Sequence, residues 1–215
     1  MQRIAIIDYG MGNLQSVSKA LEQVAPDDEV VVTNDPTVIQ SADRIVCPGQ
    51  GAAADCMKAL RASGLGQLVV DTIHTRPFLG ICMGYQVLLS SSEENDGTDC
   101  LGVIPGTVTR FQDPLSDADG TRLKVPHMGW SEVSQTREHP MWNQIGDGAR
   151  FYFAHSYYCI PSEQGVITGT TQYGQKIAVS VAFGKLFACQ FHPEKSSTDG
   201  LQFLANFTRW QGDTH

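Results

Sequence analysis

Cys82 lies within the segment GICMG, residues 80–84, between an apolar run typical of a buried strand and a helix-like pattern. Glycines at such a junction allow the sharp turn of a nucleophile elbow, which presents the central side chain. The start of the following helix favours a thiolate, and the amide of Met83 would face a developing oxyanion. The segment therefore predicts a cysteine nucleophile. The alternative is a tight turn around a buried, unreactive cysteine.

A cysteine nucleophile needs a base, and His192 is the best candidate of the six histidines. It follows the strand-like segment 186–191, and Pro193 favours extended backbone at the residue before it. Residues two apart in an extended chain point the same way, so Glu194 can lie beside the imidazole. These residues predict a triad in which Cys82 attacks, His192 transfers the proton and Glu194 orients the ring. A salt-bridged His–Glu pair at a loop edge is the alternative.

The other five histidines are expected to have no catalytic role. His74 ends a charged helical segment, His139 precedes a proline in a loop and His215 is terminal, so all three are expected at the surface. His127 and His155 lie in apolar surroundings, which predicts partly buried, hydrogen-bonded structural residues.

Short apolar segments alternate with helical patterns in the first half of the chain. Strands are predicted at residues 3–8, 29–33, 44–47 and 78–81, and helices at 14–24, 52–61, 65–74 and 83–90. Continuous apolar strands separated by helices indicate βαβ units and a parallel sheet covered on both faces. Ligands bind beyond the carboxyl ends of such strands, which is where segment 80–84 falls.

The second half is dominated by strand patterns. Strands are predicted at residues 107–111, 130–134, 150–160, 165–173, 176–183 and 186–191, a hairpin turn at 172–176, an exposed loop at 112–121 and a last helix at 198–210. The whole pattern predicts one α/β domain over residues 1–215. Its sheet is expected to be doubly wound and flavodoxin-like, mostly parallel, with an antiparallel extension.

Composition excludes several classes of function. The 215 residues are 41% hydrophobic and 18% charged, as in ordinary globular proteins, and the net charge of −8 disfavours nucleic-acid or anionic-membrane partners. No signal peptide or membrane-length apolar run is evident, so a cytoplasmic location is expected. The six cysteines form no zinc-ligand pattern, hence no metal or cofactor is expected, and Cys47 and Cys189 are expected in the core.

Two motifs together resemble the class I, triad-type glutamine amidotransferases, whose elbow has the form G-x-C-x-G-x-Q and whose second motif contains H-P-E. Here they occupy residues 80–86 and 192–194. Four further segments resemble the glutaminase subunits of imidazole glycerol phosphate synthase, and they are DYGMGN (8–13), PHMGW (126–130), FYFAHSY (151–157) and FHPEKS (191–196). This resemblance runs from Ile4 to the last helix.

The resemblance implies a glutaminase that hydrolyses L-glutamine and passes ammonia to a (β/α)₈ cyclase subunit in a heterodimer. That partner would make imidazole glycerol phosphate and AICAR from PRFAR in histidine biosynthesis. Matching positions imply an oxyanion site at Met83, Gly49, Gln50 and Gly51. They also imply glutamine binding by Gln86, Ser156 and Tyr157, the last two through the backbone, and a partner interface with Asn13, Tyr152 and Lys195. Gln50 departs from the valine common in that family.

Three alternatives stay open on the sequence. A paralogous glutaminase could serve another synthase, such as a lipopolysaccharide-sugar amidotransferase, with the same triad. A cysteine hydrolase or peptidase on a flavodoxin-like sheet is disfavoured by Gln86 and by the residues around His192. A regulatory binding module with a relic triad is disfavoured because all three triad residues are present.

Overall fold

The computed structural model describes residues 1–213. Its α-helices are α1 (Leu14–Val24), α2 (Pro36–Ser41), α3 (Ala53–Ala62), α4 (Leu65–Thr72), α5 (Met83–Gln86) and α6 (Ser197–Arg209). The first-half strands are β1 (Arg3–Ile7), β2 (Glu29–Thr33), β3 (Arg44–Gly49), β4 (Phe78–Cys82), β5 (Leu89–Ser92), β6 (Thr98–Asp99) and β7 (Ile104–Arg110). The later strands are β8 (Leu115–Ser116), β9 (Arg122–Leu123), β10 (His127–Glu132), β11 (Ser134–Gln135), β12 (Arg150–His155), β13 (Tyr157–Pro161), β14 (Ile167–Tyr173), β15 (Gln175–Phe183) and β16 (Leu186–Cys189).

Parallel strands form one half of the main sheet, from the edge strand β2 inward, in the order β2-β1-β3-β4-β16. This order is that of the flavodoxin-like, doubly wound folds. On the far side of β16 the sheet continues through the antiparallel strands β15, β13 and β7. The predicted fold class, a mostly parallel sheet with an antiparallel extension, is confirmed.

The sheet separates two hydrophobic cores because successive side chains of a strand point to opposite faces. In β1, Ala5 and Ile7 belong to the core that contains residues of α3 and α4, whereas Ile4 and Ile6 belong to the core that contains residues of α1 and α6. All four side chains are fully buried, which explains why the strand has a continuous apolar sequence.

The strands that approach the predicted site from the second half form a separate antiparallel pair. In this pair, β10 runs against β12, with His127 opposite His155 and Trp130 opposite Tyr152. Ser156 separates β12 from β13, which returns to the main sheet beside β7. The pair therefore carries the PHMGW and FYFAHSY segments side by side.

Several boundaries differ from the sequence prediction. The helix predicted over 83–90 is wrong beyond Gln86, because Leu89 already pairs with β7 as part of β5. The strand predicted over 150–160 is two strands, and the strand predicted over 130–134 is interrupted after Glu132. The loop at 112–121 is exposed as predicted, apart from Leu115, which is buried in the short β8. Helix α2 was not predicted, although Asp35 caps it.

The burial of individual histidines and cysteines agrees with most of the predictions made for them. Cys47 and Cys189 are fully buried in the cores, as predicted. His139 is buried, so the prediction of a surface position is wrong; its ring packs against Phe187 and Trp210. His74 is exposed as predicted, and His215 lies outside the described residues. No helix within residues 1–213 is both long enough and apolar enough to cross a membrane.

Candidate active site

Cys82 ends β4 in a conformation that L-residues seldom adopt, with φ of 55° and ψ of −107°. The unusual backbone therefore lies at the cysteine, and neither flanking glycine has a positive φ. Strained backbone at a single residue is typical of functional sites. The one-turn α5 follows directly, so the helix dipole at the sulfur is that of a few peptide groups only.

The flanking glycines are needed for close packing of backbone. A Cβ atom on Gly84 would lie 1.8 Å from the Cys47 carbonyl oxygen, and one on Gly80 would lie 2.7 Å from the Gly84 carbonyl oxygen. The elbow is thus pressed against β3 and folded onto itself. Both glycines allow the sharp turn, as predicted. They do so because a larger side chain would clash with neighbouring backbone, and not because either glycine has an unusual backbone dihedral angle.

His192 reaches the elbow because β16 lies next to β4, with Cys189 opposite Ile81. Its backbone is extended, and its Nδ1 lies 2.9 Å from Glu194 Oε1. Both side chains are almost completely buried. The structure thus places the carboxylate beside the imidazole, as the extended backbone predicts, and leaves Nε2 free to serve Cys82.

Opposing influences act on the charge of His192. Burial lowers the pKa of the imidazole, but the Cys82 sulfur, through charge and hydrogen bonding, and the Glu194 carboxylate together raise it to about 10. At neutral pH the ring is therefore protonated beside the sulfur. The imidazole thus lies between the sulfur and a carboxylate, which is the order of groups that a cysteine nucleophile with a histidine base uses.

A cavity of about 350 Å³ opens over Cys82 and His192. Most of the residues predicted for substrate and oxyanion contacts line it, namely Gln50, Gly51, Met83, Gln86, Ser156 and Tyr157. A larger cleft of about 650 Å³ lies beside α6, but none of the described residues that line it is a cysteine, serine or threonine. No cluster of His, Cys, Asp or Glu within residues 1–213 is arranged to hold a metal ion.

The segment predicted to hold the oxyanion, residues 49–51, faces the elbow because Gly49 is opposite Cys82 in the pairing of β3 with β4. A Cβ atom on Gly49 would lie 2.2 Å from Tyr9 Oη and 2.9 Å from Met83 Cβ, so only glycine allows this approach. Gly51 has a φ of 103°, and the Gln50 carbonyl accepts a hydrogen bond from the Cys56 thiol at 3.5 Å. The segment is thus held from behind by side chains of the core.

Gln86 forms part of the cavity wall, and its side-chain amide is hydrogen-bonded there. Its Nε2 donates to the Tyr157 carbonyl at 3.2 Å and to Gln190 Oε1 at 2.9 Å, whereas its Oε1 is buried without a hydrogen-bond partner among the described residues. The carbonyls of Ser156 and Tyr157 already accept hydrogen bonds, from Phe111 and Gln86 respectively. Gln86 therefore has an acceptor that the described residues leave unpaired.

Two polar residues at the site were not predicted. Glu94 lines the cavity as its only carboxylate among the described residues, and its Oε2 accepts the amide hydrogen of Ala53 at 2.7 Å. Gln190 Nε2 lies 3.7 Å from Cys82 Sγ. Gln190 could have been found by the alternation that identified Glu194, since it is two residues before His192. Glu94 lies in an irregular segment with no comparable signal.

The positions implied for a partner interface lie on three elements of the fold, with Tyr152 in β12, Lys195 in the turn before α6 and Asn13 directly before α1. Lys195 Nζ lies 6.0 Å from the centroid of the Tyr152 ring, and the Trp130 ring lies 6.1 Å from the same ring. Trp130 and Met128 remain 44% and 65% exposed, and Met128 also lines the cavity. Asn13, by contrast, caps α1 by accepting the Ser16 amide hydrogen at 3.3 Å. Exposed apolar groups beside a cavity are typical of an interaction surface.

Of the histidine pair in β10 and β12, His155 lines the cavity and His127 lies next to it. His127 Nδ1 and His155 Nε2 are 3.0 Å apart, and His155 Nδ1 contacts the Tyr157 carbonyl at 2.7 Å. Burial lowers the pKa of His127 to about 4; burial and then the charge of His127 lower that of His155 to about 3. Both histidines are buried and hydrogen-bonded, as predicted.

Comparison with known proteins assigns this site and fold to a class. The family model described as glutamine amidotransferase class-I matches residues 5–210, so the chain belongs to that family. Two solved structures share the fold, both from Thermotoga maritima. One is PurLQS, with a TM-score of 0.69, 17% identity and coverage of 97% of this chain and 99% of the other. The other is a glutamine amidotransferase, with a TM-score of 0.60, 15% identity and coverage of 97% and 83%.

Curated relatives show to which group within the class-I glutamine amidotransferases the chain belongs. The chain is 55% identical over 212 residues to the imidazole glycerol phosphate synthase subunit HisH of Pseudomonas putida, covering 99% of both sequences. It is 53% identical over 213 residues to the same subunit of Thiobacillus denitrificans, covering 99% of this chain and 93% of that one. Within the class-I amidotransferases, the chain therefore belongs to the family of these HisH subunits.

Proposed function

We propose that the chain hydrolyses L-glutamine to glutamate and ammonia, with Cys82 as nucleophile, His192 as acid and base, and Glu194 as the group that orients the imidazole. The observation that carries the proposal is the cavity over Cys82, where the imidazole lies between the sulfur and a buried carboxylate. Family membership supports the same chemistry.

The reaction begins from the thiolate and the imidazolium. The sulfur attacks the carboxamide carbon of glutamine, and the negative oxygen is stabilised by backbone N–H groups of Met83 and of residues 49–51. His192 gives its proton to the departing nitrogen, which leaves as ammonia, and a γ-glutamyl thioester remains on Cys82. The neutral imidazole then takes a proton from water, the resulting hydroxide attacks the thioester, and the thiolate is released with glutamate.

Substrate contacts are proposed for three residues of the cavity wall. Gln86 Oε1, which lacks a partner among the described residues, would accept a hydrogen bond from the substrate. The Glu94 carboxylate would face the α-ammonium group, because no other residue of segment 1–213 brings a carboxylate to the cavity lining. Backbone groups of Ser156 would contact the same end of the glutamine molecule. Glutamine is a zwitterion at neutral pH. Its α-ammonium group would thus meet the Glu94 carboxylate, and its carboxamide would meet the nucleophile Cys82.

The ammonia would pass to a cyclase subunit that makes imidazole glycerol phosphate and AICAR from PRFAR in histidine biosynthesis, as the names of the curated relatives support. The proposed contact surface contains Met128, Trp130, Tyr152 and Lys195, with Asn13 at its edge. Free ammonia would be protonated and lost to solvent at neutral pH, so a docked partner has a chemical purpose. A cytoplasmic location fits this role.

Glutamine hydrolysis should be measured for the chain alone, with the cyclase subunit, and with the cyclase subunit plus PRFAR. Strong stimulation by the partner is expected, and Cys82→Ala should abolish it. A chain as active alone as in the complex would contradict the dependence on a partner. Labelling of Cys82 by a glutamine-analogue affinity reagent without stimulation by this cyclase would retain the glutaminase and favour the paralogue that serves another synthase.

A further inference from the structure

Gln190 is a buried amide that contacts the nucleophile, and the mechanism above gives it no role. Only 1% of the residue is exposed, and its backbone N–H donates to the Val179 carbonyl, so the residue is fixed at the end of β16. Its side chain has two polar neighbours. Nε2 lies 3.7 Å from Cys82 Sγ, and Oε1 accepts a hydrogen bond from Gln86 Nε2 at 2.9 Å.

The orientation of both amides follows from one backbone carbonyl. The Tyr157 oxygen can only accept, so the atom of Gln86 that lies 3.2 Å from it must be the NH₂ group. The same NH₂ group faces Gln190, which must therefore present its oxygen to Gln86. The nitrogen of Gln190 is then left to face the Cys82 sulfur. Reversing either amide would place two donors or two acceptors against each other.

The Tyr157 carbonyl also fixes the tautomers of His155 and His127. His155 Nδ1 must donate to the Tyr157 oxygen, so His155 Nε2 accepts and His127 Nδ1 donates. His127 Nε2 then accepts from the Ser131 hydroxyl at 2.8 Å. The Tyr157 carbonyl oxygen thus accepts from both His155 and Gln86, and these two donors favour its present orientation.

We propose that Gln190 is a further functional residue of the site, which donates an N–H to the Cys82 thiolate and holds Gln86 so that its oxygen faces the substrate. Hydrogen bonds to charged groups are stronger than those between neutral groups, so the donor favours the thiolate over the thiol. The second part, the orientation of Gln86, rests on the proposed glutaminase function. The first part concerns only the sulfur, and it can be tested without substrate.

The test is the pH dependence of Cys82 alkylation by iodoacetamide, followed by mass spectrometry of the peptide that contains Cys82. In Gln190→Met, of similar length but without polar hydrogens, the midpoint of alkylation should rise by about one pH unit, and alkylation at pH values below that midpoint should be about tenfold slower. In Gln190→Glu, a carboxylate oxygen would face the sulfur, and the midpoint should rise further. Gln172→Met, on the exposed side of the β14–β15 hairpin, is the matched control and should resemble the unmodified chain.

Glutamine kinetics with the cyclase partner test the second part. Gln190→Met should raise KM as well as lower kcat, because Gln86 loses the acceptor that fixes its amide. A purely structural role would lower the amount of folded protein without moving the alkylation midpoint. Should Gln190→Met fail to fold, Gln86→Met serves instead, since it leaves the Gln190 amide free to turn and should shift the midpoint in the same direction. Unchanged midpoints in the folded variants would overturn the proposal, whether or not the chain hydrolyses glutamine.

Discussion

Replacing Gly84 with alanine tests the packing that holds the elbow. The new Cβ atom would lie 1.8 Å from the Cys47 carbonyl oxygen and 2.9 Å from its carbonyl carbon, whereas Cβ contacts under 3.0 Å are essentially never found. The backbone of α5 and β3 must therefore separate by about 1.2 Å, the difference between 3.0 and 1.8 Å. Neither element can yield by rotating a side chain, because both contacts are to backbone.

This displacement predicts a large loss of stability and of activity. Overpacking a core costs about 1–3 kcal/mol where side chains can adjust, so a backbone clash should cost about 3 kcal/mol or more. For a domain of this size that corresponds to a fall in Tm of about 6–12 °C. The Met83 amide would move away from residues 49–51, and a misplacement of about 1 Å can lower kcat about 100-fold.

Gly146→Ala is the matched control, because no atom lies within 4 Å of the position that its Cβ would take and its φ is not positive. It should change the free energy of unfolding by no more than about 0.5 kcal/mol. Thermal unfolding followed by circular dichroism, together with glutamine hydrolysis in the presence of the cyclase subunit, measures both effects. If the two variants melt within about 2 °C of each other, the close-packing explanation of the elbow is wrong.

The remaining predictions concern backbone strain, pH and the proposed interface. Cys82→Gly should be more stable than Cys82→Ala by about 1 kcal/mol in urea unfolding, since glycine tolerates the positive φ; equal stabilities would argue against strain. His127 and His155 should each lower the free energy of unfolding by about 1.4 kcal/mol per pH unit as pH falls from 6.5 toward 4. In this range both imidazoles bind a proton in the unfolded chain but stay neutral in the folded chain. His127→Asn should flatten this slope, and an unchanged slope would contradict the assignment. Trp130→Ala should weaken binding of the cyclase subunit about 30-fold by calorimetry, whereas Ile160→Ala, equally exposed on β13, should not; equal losses would place the interface elsewhere.

Local pattern was sufficient for the parallel strands and for some of the helices of the first half of the chain. Strand β2 and helix α1 have the bounds that apolar spacing predicts, because their buried faces are set by residues close in sequence. The burial of His139 could not be predicted in this way. Its partners Phe187 and Trp210 are distant in sequence, and nothing around His139 indicates that they meet. Helix α2 did carry a signal, since Asp35 and Pro36 form a typical helix start.

The candidate site likewise contains residues that the local sequence predicts and residues that it does not. Cys82, His192 and Glu194 could be predicted because each lies at a strand end or two residues from its partner, where geometry follows from the backbone alone. Glu94 and Trp130 were missed for different reasons. Glu94 reaches the cavity from an irregular segment, and the exposure of Trp130 depends on how the β10–β12 pair stands beside the main sheet.

The adjacency of β4 and β16 has a consequence for the order in which the protein folds. Residues 78–82 and 186–189 are neighbours in the sheet but lie far apart along the chain, so their pairing closes a long loop and is expected late. During synthesis, β4 emerges with one edge unpaired, and Cys82 has no base until the chain beyond β16 has been made. A nascent chain that ends before β16 would therefore carry an aggregation-prone sheet edge and an unactivated thiol.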